Sequence, residues 1–168
     1  MKTKNTTQKI AVTALLAALT CVATMVIKIP SPMKGYLNLG DCVVLTAGWM
    51  LSPVYGFLAA GLGSALADLF SGYVVYAPAT FLIKGLMALV ARFVYKALCG
   101  KIYSSISRII SGVLAEIIMV LGYYIFEGFM YGFSPSLVNI PANAVQGITG
   151  LVFGFVLIKI FEKTKIKL

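Results

Sequence analysis

The side chains able to do chemistry lie inside sequence that is otherwise apolar. In the stretch from Tyr36 to Gly85, YLNLGDCVVLTAGWMLSPVYGFLAAGLGSALADLFSGYVVYAPATFLIKG, Asp41 precedes one apolar run, Asp68 closes another, and Lys84 falls six residues into the segment that begins at Pro78. Farther on, Glu116 stands near the middle of an apolar segment, and Asn139, Asn143 and Gln146 share one helical face. A carboxylate or ammonium in a lipid-embedded helix costs about 2.5 to 3.5 kcal/mol, so such residues face a protein interior or a wet cavity. Carboxylates, amides and a lysine orient a small polar ring through hydrogen bonds, while Tyr73, Tyr76, Tyr123 and Phe133 offer flat faces for stacking. The chemistry these types suit is recognition of a small, aromatic, hydroxylated molecule. The simpler reading stays open beside it: Asp68 and Lys84 can pair with each other inside a bundle, and Glu127 can lie at the water interface.

Catalysis has little to work with. The chain has no histidine, which removes the commonest general base and metal ligand together. Cys21, Cys42 and Cys99 sit in or beside apolar runs without the CxxC spacing of metal or redox sites and read as packing residues. We therefore expect no enzyme, no metal and no cofactor in this chain. The net charge of +9 does not point to nucleic acid, because the basic residues edge the hydrophobic segments and form no stripe with interleaved aromatics.

The elements that must position these groups are membrane helices. Sixty per cent apolar residues, 11% charged residues and a mean hydropathy of +0.97 lie far from a soluble domain. At about 20 residues per span, residues 1–168 hold six or seven crossings and form a single membrane domain with no separate soluble part. A polar tail leads into Ile10 to Ile29, read as a retained first helix rather than a signal peptide, with Ala11, Ala14, Ala17 and Ala18 on a small-residue face. Pro30 to Gly35 break it. Cys42 to Leu51 is too short to span untilted, and Ser52-Pro53 separates it from Val54 to Phe70, where Ala59, Gly63 and Ala67 repeat every four residues and Ser64 sits one turn from Asp68. A fourth helix runs from Pro78 to about Leu98, a fifth from about Ile106 to Tyr124, and a sixth starts near Pro141 after an aromatic linker from Gly128 to Ile140. Glu116, Val120, Tyr123 and Glu127 fall on one face by spacing.

Orientation follows from the basic residues beside the spans. Lys2, Lys4 and Lys9, then Arg92, Lys96, Lys101 and Arg108, then Lys159, Lys163, Lys165 and Lys167 place eleven of the fourteen basic residues on one side. An all-α, six-transmembrane-helix bundle with both termini cytoplasmic satisfies that bias, and it turns Asp41, Asp68, Lys84, Glu127, Asn139 and Asn143 toward the outer half, with Glu116 and Gln146 deeper.

The segments LNLGD (Leu37 to Asp41), GSALADLFSGYVVYAPATFLIKG (Gly63 to Gly85) and NAVQGITG (Asn143 to Gly150) resemble the substrate-binding S components of energy-coupling factor (ECF) vitamin transporters, most closely the pyridoxine or hydroxymethylpyrimidine group. The resemblance implies a multi-pass protein of the bacterial plasma membrane that captures a vitamin or precursor from outside and has no ATPase of its own. It implies a transmembrane coupling subunit and two cytoplasmic ATPases as partners, toppling of the binding subunit to release its cargo, Ala14 and Ala18 as the docking face, and Pro30 to Gly40 as a lid. The candidate substrate-binding set is Asp41, Asp68, Tyr73, Tyr76, Lys84, Glu116, Tyr123, Asn139, Asn143 and Gln146. Other readings are an S component for thiamine or riboflavin, a carrier working alone, for which the halves show no convincing repeat, and a structural or regulatory subunit held by small-residue seams.

Overall fold

The computed structural model describes residues 6–31 and 35–163. Lys2, Lys4, Lys165 and Lys167, used above for orientation, and residues 32–34 of the expected lid lie outside them. The described chain is helical apart from one short extended pair. In order it runs α1 (Thr6–Val26), β1 (Ile29–Pro30), β2 (Tyr36–Leu37), α2 (Gly40–Met50), α3 (Pro53–Phe70), α4 (Ala77–Leu98), α5 (Ser104–Tyr131), the single turn α6 (Phe133–Ser136), a 3-10 turn (Leu137–Asn139) and α7 (Ile140–Lys163). Five helical stretches are long and apolar enough to cross a membrane: α1, α3, α4, α5 and the continuous run from Phe133 to Lys163.

The exception, α2, organises the rest. Its eleven residues rise roughly 16 Å, about half of a hydrocarbon core of roughly 30 Å. It is nevertheless the most enclosed element, buried everywhere but Cys42 and Met50. One face carries Val44, Leu45 and Trp49 into a core with Met87, Ala88, Ala115, Met119 and Ile158. The other carries Val43 and Ala47 against Leu16, Leu51 and Ala59. An uninterrupted apolar run can be read as a helix buried on all sides, and that is its situation here. Around it α1 packs on α3, α3 on α4, α4 on α5 and α5 on α7, while α2 touches α7, α4, α1 and α3. The indole N–H of Trp49 donates to Ser111 Oγ at 2.9 Å, tying α2 to α5.

Small residues set the closest approach. Gly63 of α3 lies against the backbone of α1 at Ala17, and a Cβ there would also come within 2.7 Å of Thr20 Cβ. The Ala59, Gly63, Ala67 repeat is thus an internal seam, with all three residues buried. Ala14 and Ala18 lie on the opposite, exposed side of α1.

Two boundaries differ from the sequence reading. Helix α5 continues past Tyr124 to Tyr131, so that Glu127 belongs to a spanning helix rather than to a linker. The aromatic residues after it are compatible with helix, and the stop comes at Gly132, whose φ of +97° only glycine adopts without strain. The chain between β1 and β2 forms an antiparallel pair, Ile29 opposite Leu37 and Pro30 opposite Tyr36, which apolar periodicity alone does not announce in two-residue strands.

The described basic residues of the tails and of the α4–α5 turn gather at one end. There Arg92 donates to the carbonyl of Trp49 at 3.0 Å, Arg108 pairs with Glu162, and Lys159 reaches Ser105. The β1–β2 hairpin and the α3–α4 turn lie at the other end, over the candidate site.

Candidate binding site

The polar groups form two tiers. In the lower tier Asp41, in the first turn of α2, and Lys84, on α4, make a fully enclosed ion pair. Gln146 of α7 donates from Nε2 to Asp41 Oδ2 at 2.7 Å, so both carboxylate oxygens are engaged. The Lys84 ammonium also stands 5.4 Å from the ring centre of Tyr123. Glycine makes this tier fit: a Cβ on Gly150 would come within 2.6 Å of Asp41 Cβ and 3.1 Å of Glu116 Oε1. Glu116 itself is buried against α7, and neither of its oxygens has a partner among the described residues.

The upper tier is a narrow polar cavity beneath the hairpin with about 30 Å3 of free volume, room for a water or two, so a ring enters only if the hairpin and side chains over it move aside. Helix α3 supplies Asp68 and α4 supplies Thr80. Tyr73 and Tyr76 come from the turn between them, Tyr123 and Glu127 from α5, and Asn139, Asn143 and Gln146 from the 3-10 turn and α7. The hairpin closes the mouth with Ser31, Gly35, Tyr36 and Asn38. Tyr36 donates its hydroxyl to Asp68 Oδ1 at 2.6 Å. The backbone N–H of Asn38 donates to Gln146 Oε1 at 2.9 Å, so one amide links the hairpin to the ion pair below.

Aromatic faces line one side of the cavity. Tyr73 lies 4.6 Å from Tyr36 between ring centres, and Tyr76 meets Phe126 edge-on at 5.2 Å. The Thr80 hydroxyl and the Tyr123 hydroxyl are 3.1 Å apart. On the other side Glu127 Oε1 accepts from Asn139 Nδ2 at 2.7 Å and from the Tyr76 hydroxyl at 3.4 Å. Asp68 Oδ2, Glu127 Oε2 and Asn139 Oδ1 are buried without a partner among the described residues. Two carboxylates therefore line the cavity, and no lysine or arginine does among the described residues.

Of the residues singled out in the sequence, Asp68, Tyr73, Tyr76, Tyr123, Asn139, Asn143 and Gln146 come together around this space. Asp41 and Lys84 lie below it as a closed pair, and Glu116 lies deeper, beside an apolar groove between α5 and α7. Lys84 pairs with Asp41 rather than with Asp68, because Asp41 opens α2 at the centre of the bundle. Ser64 is buried one turn from Asp68 but does not bond to it. Phe133 packs outside on Tyr124 and Phe129 and is not a wall of the cavity. Six lining residues were missed: Ser31, Gly35, Tyr36, Asn38, Thr80 and Glu127. Tyr36 and Asn38 are two apart, the spacing that puts extended residues on one side of the chain. Glu127 is 1% exposed rather than at the water interface, and its four-residue spacing from Tyr123 was the signal for it.

The chain is similar over most of its length to proteins already described. The chain is 29% identical over 169 residues, 99% of its length and 94% of the relative's, to "Thiamine precursor transporter HmpT" of Lactococcus lactis subsp. cremoris. It is 35% identical over 135 residues, 79% of its length and 87% of the relative's, to an uncharacterized protein of Pyrococcus woesei. Among solved structures it is similar to the S component of a bacterial ECF transporter, with a TM-score of 0.75 and 27% identity over 96% of this chain and 99% of that one. A family model described as "ECF-type riboflavin transporter, S component" matches residues 4–163. A helical membrane bundle with an enclosed polar and aromatic cavity, matched over nearly its whole length in this way, belongs to the S components of ECF-type transporters, the membrane-embedded substrate-binding subunits.

Proposed function

We propose that this S component captures hydroxymethylpyrimidine, a thiamine precursor, from the outer face of the membrane. The observation that carries the reading is the cavity under the hairpin: an aromatic wall for one flat ring, with carboxylates and amides around its edge. The full-length similarity to a relative described as a thiamine precursor transporter supports it. A pyridoxine-like ring is the second reading, because it offers a comparable face and hydroxyl donors to the same carboxylates. The Asp41–Lys84 pair and Glu116 then belong to the substrate-binding set as the floor of the site, below the groups that touch the ring.

In this reading the protein is a single membrane domain with six crossings, α2 and the hairpin segment together making the second, and both termini are cytoplasmic. The gathering of described basic residues at the end away from the cavity supports that orientation. Uptake is driven by partners, a transmembrane coupling subunit and two cytoplasmic ATPases, with the exposed Ala14 and Ala18 face of α1 as the docking surface. The hairpin serves as lid, held by the Tyr36–Asp68 and Asn38–Gln146 bonds.

The test is mass spectrometry of small molecules released from the purified protein, followed by calorimetric titration with hydroxymethylpyrimidine, pyridoxine, pyridoxal, thiamine and riboflavin. Stoichiometric binding of the pyrimidine is expected without ATP or partner subunits. If the folded protein binds none of the five, the vitamin reading loses most of its support and the structural-subunit reading moves to the front.

A further inference from the structure

Apart from the Ser31 hydroxyl in the cover, which can donate or accept, the buried cavity atoms without a partner among the described residues are acceptors. Glu127 and Asn139 are joined through Asn139 Nδ2 and Glu127 Oε1 at 2.7 Å. The amide must turn its nitrogen to a carboxylate, which only accepts, so Asn139 Oδ1 is left over as an acceptor. Glu127 Oε2, on the other side of the same bond, is also left over. Two acceptors that flank one hydrogen bond match a group with two hydrogens on one nitrogen. Asp68 Oδ2 is a third acceptor without a partner, on a different helix, and no basic side chain lines the cavity among the described residues to satisfy any of them. Leaving a buried acceptor unmade is costly, so the ligand that fills this space must bring donors.

The geometry points to Glu127 and Asn139 as the specificity-determining pair, reading an exocyclic amino group on the ring, with Asp68 taking a further N–H or O–H donor from another edge. The substrate class is an amino-substituted aromatic ring. A ring that presents a carbonyl at that edge, as an oxopyrimidine or the pyrimidinedione edge of a flavin does, meets acceptors with an acceptor and is rejected. This rests on the pyrimidine reading above and goes further, because it says which substituent is read and by which atoms.

Calorimetry on the full chain in detergent separates the two. The probes are the amino-substituted hydroxymethylpyrimidine and the analogue in which a ring carbonyl replaces the amino group. Wild-type protein is expected to bind the amino compound at least about tenfold more tightly, the scale of one unmade hydrogen bond to a charged acceptor. Glu127→Gln turns Oε2 into a donor while leaving Oε1 for Asn139, and the preference should fall by about tenfold or invert toward the carbonyl compound. Asn139→Ala removes the second acceptor and carries the same prediction if the first variant does not fold. Equal binding of the two compounds by wild-type protein, or a preference that neither folded variant alters, overturns the inference while leaving the pyrimidine reading in place. Binding of neither compound by folded protein removes that reading, and the inference with it.

Discussion

Asp41 and Asp68 differ in what surrounds them. Asp41 has a lysine on one oxygen and an amide on the other, and is closed off from the cavity; Asp68 has a tyrosine hydroxyl on one oxygen, the Thr80 hydroxyl close by, and no hydrogen bond to its other oxygen among the described residues. In the proposed reading the first is a floor held in place by protein groups and the second is the carboxylate poised for the ring. Lys84→Met should therefore act on stability: removing one partner of an enclosed pair costs about 3 to 5 kcal/mol, read as a large fall in unfolding temperature in detergent. Asp41→Asn combined with Lys84→Met should recover most of that loss, since an amide can still meet Gln146 and no charge is left behind. A double variant as unstable as the single would show that the pair holds the fold for another reason. The sequence displayed all of these residues but not their partners, because the choice between Asp41 and Asp68 for Lys84 depends on helix register across the bundle, which spacing along one chain does not specify.

At the scale of elements, α1 presents two faces with different work. Gly63→Leu on α3 should disrupt the inner face, since the added side chain meets the α1 backbone at Ala17; overpacking of this kind costs about 1 to 3 kcal/mol and would appear as lost thermal stability. Ala14→Leu and Ala18→Leu on the outer face should leave stability and ligand binding unchanged in the isolated protein. They are expected to abolish co-purification with the coupling subunit and vitamin uptake in cells; full uptake by the double variant would remove α1 as the docking surface. Long helices and their proline and glycine breaks were legible from hydropathy. The hairpin was not, because two-residue strands carry no period, and the extent of α5 was not, because nothing before Gly132 forbids a helix. The cavity was therefore half visible: its helical walls could be read from spacing, while Tyr36 and Asn38 in its cover belong to the segment with the least regular pattern.

The whole molecule is polarised, with the cavity and hairpin at one end and Arg92, Lys96, Lys101, Arg108, Lys159 and Lys163 toward the other. The cysteines allow that polarity to be tested without engineering. Cys99, beside the α4–α5 turn, is exposed, whereas Cys21 is buried and Cys42 is half-buried. A membrane-impermeant maleimide should leave Cys99 unlabelled in intact cells and label it once the membrane is permeabilised. Labelling from outside would reverse the orientation and put the cavity on the cytoplasmic face.

The chain has a single tryptophan, and it is Trp49 on the enclosed central helix, 3% exposed, with its indole nitrogen held by Ser111. The protein thus has its own optical reporter at the point where α2, α4, α5 and α7 meet. Its emission should be blue-shifted and insensitive to iodide while the bundle is intact. A red shift in any variant would mark loosening of the centre, separating damaged packing from a lost ligand contact in the same cuvette.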